Sequence, residues 1–440
     1  MNVMPGFVGD VVRSVGLSTA MRAAGVVTGL LPIPQPVLLV GPDSARRLGE
    51  ALAGFGHRKV MIVTDRVVAQ MGLPKTLVAA LSAAGVAHLV FDAITPDAPI
   101  PLIEQGVGRF DAAGCDAIVA FGGGSPMDAA KTIALCVANR KSPRQLVGYF
   151  KGRHAPVPIY AVPTTAGTGS EVTVAAVVSD PRNNRKLVIA DTRLVPQMAA
   201  LDPTLMTGLP KTVTAATGMD ALTHAVEAFV GQWATPHTDR MATAAVGMIY
   251  GNLRTAYHSG RNLAARERMA LAATYAGLAF TRANVGYAHA IAHQLGGKYH
   301  TPHGLANAIM LPHVLRFLSP AITRRLALLA VHAGVGSPGE KPVLLARKFI
   351  ASIDALNDEL GIPRHLDALV AADVPELAKA ACWEADTNYP VPRYMSPETC
   401  AGILREVLPP AKAVAKATTK ASTRTAARKK AQRTRRQAAV

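Results

Sequence analysis

His289 and His293 stand four residues apart in Gly286-Tyr-Ala-His-Ala-Ile-Ala-His-Gln-Leu-Gly-Gly-Lys-Tyr-His-Thr-Pro-His-Gly304. On a helix that spacing sets both imidazoles on one face, one turn apart. Pro302 breaks the run, and His303 follows it directly. Upstream, Asp220 and His224 repeat the four-residue spacing in Thr217-Gly-Met-Asp-Ala-Leu-Thr-His-Ala-Val-Glu227. Two helices that each offer such a pair to a shared cleft assemble a set of nitrogen and oxygen donors. Neutral imidazoles with one carboxylate suit a divalent transition metal. A single histidine on a helix is usually a satisfied structural residue. Two spaced pairs plus His303, among 13 histidines, outweigh that alternative.

The chain of 440 residues is long enough for two or three domains, and half of it is hydrophobic. Aromatic residues are few, and Ala, Val and Gly are many, which suits helices packed closely on a parallel sheet. No apolar run reaches the ~18–20 residues of a membrane span. Cys115, Cys136, Cys382 and Cys400 are far apart with no Cys-x-x-Cys. That argues against a zinc ribbon or a disulfide framework and for a reducing cytoplasm. The net charge of +18 is uneven: ten of the 47 Lys/Arg fall in residues 411–440, which hold no Asp or Glu, leaving 37 basic against 29 acidic residues in the body. Residues 409–440 read as a disordered basic tail. It would attract nucleic acid or another polyanion without reading sequence, since it has no aromatic residue to stack on bases.

In chain order, residues 1–35 form an N-terminal extension in which Val11 to Leu31 suits an amphipathic helix. It lacks the basic n-region and cleavage site of a signal peptide, and it reads as a packing or oligomer-contact segment. Pro32-Ile-Pro-Gln-Pro36 marks a boundary. From 36 to 208, strands at Val37–Val40, Lys59–Asp65, His88–Phe91 and Asp116–Phe121 alternate with helical stretches at Ala45–Leu52, from Asp65 to about Ala84 and at Pro101–Ala113. That alternation predicts a parallel sheet covered on both faces, with Asp43 or Ser44 capping the first helix. The last of these strands enters Gly122-Gly-Gly-Ser-Pro-Met-Asp-Ala-Ala-Lys131. Three glycines let the backbone turn and approach a ligand. Ser125 is expected at the helix start, with Pro126 first inside it, so that free amides and the helix dipole face an anion such as a pyrophosphate. A second strand-to-loop run follows in Pro158-Ile-Tyr-Ala-Val-Pro-Thr-Thr-Ala-Gly-Thr-Gly-Ser-Glu-Val-Thr173, where Thr164, Thr165 and Thr168 can donate to phosphate or ribose oxygens. From 209 to 408 helices are expected at 212–230, 238–256, 261–280, 286–296, 304–318, 320–334, 341–360, 374–382 and 397–408.

Gly122–Asp128, Pro163–Glu171, Gly218–Glu227 and Gly286–His303, in that order and spacing, resemble the iron-containing (group III) alcohol dehydrogenases over residues 36–408. The resemblance implies an α/β, Rossmann-like dinucleotide-binding domain followed by an all-α metal-binding catalytic domain, the dehydroquinate synthase-like fold. It implies that Asp220, His224, His289 and His303 bind one divalent metal, Fe(II) or alternatively Zn(II). The catalytic histidines are then His303, a ligand, and His293, which lies beside the site as a candidate for proton transfer. Gly123, Gly124 and Ser125 would hold the pyrophosphate of NAD, Thr164, Thr165 and Thr168 would line the cofactor, and Lys186 would sit near its ribose. Asp65, ending the second strand, would bind the adenosine ribose and repel a 2′-phosphate, favouring NAD over NADP. Phe280 would line the substrate pocket. Asp97, a candidate cofactor contact, and Arg282 stand where the family often has Asn.

The implied reaction is reversible hydride transfer between a primary alcohol and NAD, by a cytoplasmic enzyme that forms a homodimer or larger oligomer. Rival expectations are a hydroxyacid–oxoacid transhydrogenase, a maleylacetate-type reductase, and a nucleic-acid-associated protein that uses the fold as a scaffold and acts through residues 411–440.

Overall fold

The structure, a computed structural model, describes residues 21, 25, 29–182 and 185–410. The basic clusters of the tail, and most of the stretch Val11 to Leu31, lie outside the described residues. Within that stretch Met21, Gly25 and Gly29 are helical, and the Met21 carbonyl accepts from Trp233 Nε1 at 2.8 Å.

The N-terminal half is built on a parallel sheet of β1 (Val37–Val40), β2 (Lys59–Asp65), β3 (Ala87–Ile94), β4 (Ala117–Gly122), β6 (Ile159–Pro163) and β9 (Met198–Leu201), in the order β1-β9-β6-β4-β2-β3. The two-residue period of a strand decides which helices each face meets. Val60, Ile62, Val119 and Phe121 pack against Leu48 and Leu52 of α1 (Ser44–Gly54) and Leu77 and Leu81 of α3 (Lys75–Ala83). Met61, Val63, Ile118 and Ala120 pack on the other side against Ile103 and Phe110 of α4 (Ile100–Ala113) and Ile133 of α5 (Gly124–Asn139). Burial on both faces explains the unbroken apolar runs of β2 and β4.

Several boundaries differ from the sequence expectation. The helical stretch after Asp65 is divided at Pro74 into α2 (Arg66–Gln70) and α3. Asp43 does not cap α1: its backbone is left-handed and its side chain makes no cap bond. α5 begins at Gly124, one residue before Ser125, with Gly123 at the N-cap position. β9 was not expected from the sequence, although it inserts between β1 and β6. Nor was a second sheet of β5 (Gly148–Tyr149), β8 (Arg185–Ala190) and β7 (Ala175–Asp180), in which β7 and β8 pair antiparallel. These strands are short or half-exposed, so their apolar signal is weak.

The C-terminal half is helical: α6 (Lys211–Val230), α7 (Pro236–His258), α8 (Leu263–Ala283), α9 (Tyr287–Tyr299), α10 (His303–His332), α11 (Pro342–Glu359), α12 (Val374–Asn388) and α13 (Pro397–Glu406). Alanine-rich faces let α6, α7 and α8 share one core with α10. The helices expected at 304–318 and 320–334 are merged in α10, with the break at Ile322 (φ −123°, ψ 17°) rather than at Ser319. Pro320 removes a backbone donor and crowds the preceding turn, so the strain is relieved just beyond it. α12 continues six residues past the expected end at 382, which places Glu384 on a helix.

The two halves meet at a crossing of backbones. A Cβ on Gly169 would lie 2.7 Å from Gly277 Cα, and one on Gly277 would lie 2.8 Å from the Gly169 carbonyl. Beside this crossing Thr274 Oγ1 of α8 donates to Glu171 at 2.7 Å. Among the described residues no helix is long and apolar enough to cross a membrane.

Candidate active site

α6 carries Asp220 and His224 on one face, and α9 carries His289 and His293 on one face, as their spacing requires. α10 begins at His303 and approaches α6 so closely that a Cβ on Gly304 would collide with the Ala216 carbonyl. The structure brings Asp220, His224, His289 and His303 together: one ligand atom from each lies within 4.8 Å of all the others. Asp220, His224 and His289 are buried. Phe280 stacks on His224 at 4.2 Å between ring centroids, and His224 stacks on His289 at 4.5 Å.

Glu227 organises this cluster. It lies one turn past His224 and accepts from the backbone N–H of Gly286 at 2.8 Å and of Ala288 at 2.7 Å. Its carboxylate also takes the Nδ1–H of His289 at 2.6 Å, leaving Nε2 as the lone-pair nitrogen. Burial pushes the Glu227 carboxyl up to about 7, against the pull of these donors. Asn307, four residues past His303, donates to Asp220 Oδ1 at 2.8 Å.

The donor set fits a divalent metal on its own chemistry. His289 Nε2 and His224 Nδ1 are buried and have no hydrogen-bond partner. Burial holds His289 well below its ordinary pKa and takes His303 to about 4, while His224 is also lowered. The imidazoles are therefore neutral, with lone pairs turned toward one carboxylate. Such buried orphan atoms cost about 1–3 kcal/mol each unless something binds them.

His293 is outside this set. Its ring stacks on His303 at 5.4 Å, but its Nδ1 is held by Glu384 Oε1 at 2.6 Å. Tyr389 and Gln294 also donate to Glu384, each at 2.6 Å.

The candidate nucleotide loops lie at the ends of β4 and β6. Gly122, at φ +152°, turns β4 into α5, and a Cβ there would meet Pro126 at 2.7 Å. A Cβ on Gly124 would come within 3.0 Å of Thr168, and one on Gly123 within 3.4 Å of Thr165. The glycine loop and the threonine loop thus lie against each other, joined by Thr164 N–H donating to the Gly122 carbonyl at 3.0 Å. A strand, a glycine turn and a helix N-terminus together fit the pyrophosphate of a dinucleotide. Asp65 ends β2 as expected, with Oδ1 accepting from Val68 N–H at 2.9 Å, so that oxygen also caps α2. Lys186 and Asp97 are paired with each other at 2.8 Å. Arg282 donates to the Ile33 carbonyl at 3.2 Å, on the extension.

Two family models match the chain. One, described as iron-containing alcohol dehydrogenase, spans residues 35–203; the other, the C-terminal part of the Fe-containing alcohol dehydrogenase family, spans 214–408. The chain belongs to the iron-containing alcohol dehydrogenase family. It is 40% identical over 371 residues to a 1,3-propanediol dehydrogenase of Klebsiella pneumoniae, covering 83% of this chain and 95% of that one. It is 38% identical over 345 residues to a lactaldehyde reductase of Escherichia coli (strain K12), covering 78% and 90%. A crystal structure of a 1,3-propanediol oxidoreductase superimposes with a TM-score of 0.83 at 38% identity, over 86% of this chain and 100% of that one. As an iron-containing alcohol dehydrogenase, the protein is a metal-dependent, NAD-linked oxidoreductase of alcohols.

Sequence reasoning about this alcohol dehydrogenase passed over Glu227, Asn307, Glu384 and Lys131. Glu227 and Asn307 had a signal, since each lies three or four residues beyond a candidate ligand on the same helix. Glu384 had none once its helix was ended at 382. Lys131 is wholly buried between α5 and the Ser170 turn, a contact that no local pattern announces.

Proposed function

We propose that this alcohol dehydrogenase interconverts small primary alcohols and aldehydes, holding Fe(II), or alternatively Zn(II), with Asp220, His224, His289 and His303. The observation that carries this is the pair of partnerless buried nitrogens, His224 Nδ1 and His289 Nε2, turned into one carboxylate-bearing cluster. When bound, the metal supplies Lewis acidity toward the alcohol or aldehyde oxygen, and the nicotinamide accepts or returns the hydride. The alcohol loses a hydride and a proton; the products are aldehyde, NADH and a proton.

The chain's own residues do the rest. Glu227 fixes the His289 ring so that Nε2 faces the cluster. Gly123, Gly124 and Ser125 receive the pyrophosphate at the start of α5, and Thr164, Thr165 and Thr168 line the cofactor opposite them. Asp65 takes the adenosine ribose and disfavours a 2′-phosphate. Phe280 walls the substrate side and helps to exclude water. Glu384 holds His293 at Nδ1, so Nε2 is the atom that carries the proton between substrate and solvent. The names of relatives, a 1,3-propanediol dehydrogenase and a lactaldehyde reductase, support short, neutral substrates. The four unpaired cysteines agree with a cytoplasmic enzyme.

The test is NADH oxidation by metal-stripped protein, reloaded anaerobically with Fe(II) or with Zn(II), across a panel of aldehydes. Turnover that returns only with metal, and faster with Fe(II), is the expected result. Equal turnover without metal would overturn the assignment of the four residues. Turnover with tightly held nicotinamide and only hydroxyacid–oxoacid pairs would favour a transhydrogenase.

A further inference from the structure

The loop between β3 and α4 bends at two successive residues with side chains, Asp97 (φ +67°) and Ala98 (φ +46°). That backbone is unfavourable for most residues and is best tolerated by Asn and Asp. The bend sets Asp97 in place. Its N–H donates to Ser125 Oγ at 3.0 Å, and its Oδ1 lies 2.8 Å from Lys186 Nζ. Lys186 reaches from β8 across to α9, where its Nζ lies 3.3 Å from the point a Cβ on Gly296 would occupy. Gly296 is three residues past His293 on the helix that carries His289. Lys186 therefore stands between the glycine loop, which Asp97 reaches through Ser125, and α9, which carries His289 and His293, with Asp97 as its counter-ion.

We propose that Asp97 is a specificity-determining residue: by pairing with Lys186 it denies the cleft a free cation and so disfavours aldehydes that carry a carboxylate or sulfonate. This rests on the alcohol and aldehyde reaction set out above. A free ammonium at this position attracts a substrate anion, and the paired one does not. The side chains of Lys186 and Asp97 are 19% and 37% exposed. Solvent screens a charge so placed, so its release is expected to shift preference by about tenfold rather than by several powers of ten.

Asp97→Asn removes the charge while keeping a side chain that tolerates the left-handed backbone. The metal-loaded enzyme is assayed with NADH against butyraldehyde and succinic semialdehyde, which have the same chain length with and without a carboxylate. The ratio of their kcat/KM values is the readout. The ratio is expected to move about tenfold toward the acid in Asp97→Asn and to return in the Asp97→Asn, Lys186→Met double variant. Lys186→Met alone should move the ratio the other way, away from the acid, because it leaves the Asp97 carboxylate without its counter-ion. An unchanged ratio in Asp97→Asn, or a double variant that keeps the full shift of Asp97→Asn, overturns the proposal. So does a wild-type enzyme that prefers the acid. A wild-type enzyme that reduces neither aldehyde with any metal overturns the aldehyde reaction itself, and this proposal with it.

Discussion

Two buried polar clusters in this enzyme are finished in opposite ways. Lys131 has no exposed surface, and its ammonium meets Ser170 Oγ at 3.1 Å, Thr173 Oγ1 and the Thr173 carbonyl at 2.9 Å, and the Ala175 carbonyl at 3.1 Å. Asp128 beside it accepts from Ser170 Oγ at 2.9 Å and Val177 N–H at 3.0 Å. Every proton of the ammonium has a partner, so the cluster ties α5, the Ser170 turn and β7 together. In the other cluster Asp220, His224 and His289 are also buried, yet His224 Nδ1 and His289 Nε2 have no hydrogen-bond partner. Full pairing marks a strut, whereas unpartnered imidazole nitrogens gathered around a carboxylate mark a candidate metal site.

That contrast can be broken in three places. The largest effect is expected from His289→Ala, which removes a donor outright. Metal content by elemental analysis and turnover should both fall well beyond the roughly 10- to 100-fold that losing an outer partner costs. Wild-type metal content in that variant would place the metal elsewhere. Next comes Lys131→Met, which leaves the Thr173 and Ala175 carbonyls without the donor that meets them. Denaturant unfolding should show a loss of about 1–3 kcal/mol or more, with metal stoichiometry retained in the folded fraction. If stability held and metal was lost instead, the two clusters would not be separable. The smallest of the three is Glu227→Gln. It keeps the size of the side chain but presents a donor where the Ala288 N–H needs an acceptor, and it loosens His289. Competition with a chelator should show a roughly 10- to 100-fold weaker metal affinity, and unchanged affinity would reduce Glu227 to a support for the 286–288 turn.

The fold class was legible from the alternation of strands and helices, and helical spacing put Asp220 with His224 and His289 with His293 on shared faces; that His303 rather than His293 joins the first three was what the resemblance implied, not what spacing showed. The glycine loop was legible because a turn, a strand and a helix leave a local signature. The partners were not. Asn307 reaches Asp220 across 87 positions and Glu384 reaches His293 across 91, distances at which periodicity carries no information. β9 was missed because four buried residues, Met-Ala-Ala-Leu, are too short and too alanine-rich to signal a strand, and the small sheet because its strands have two to six residues and are partly exposed, with Arg and Lys opening β8. Lys186 and Asp97 were each picked out for the cofactor, while their pairing lay beyond any reading of either segment alone.

The Gly169–Gly277 crossing has a consequence for how such a chain changes over generations. Neither position can take a side chain by itself, because a methyl group on one would overlap the backbone of the other. A lineage that altered either codon would have to part the two halves by an amount on the order of an ångström, the difference between these approaches and ordinary van der Waals contact. Thr168 and Thr274 would be carried apart with them. Two residues 108 positions apart in the chain are thus inherited as one character, held by what each lacks.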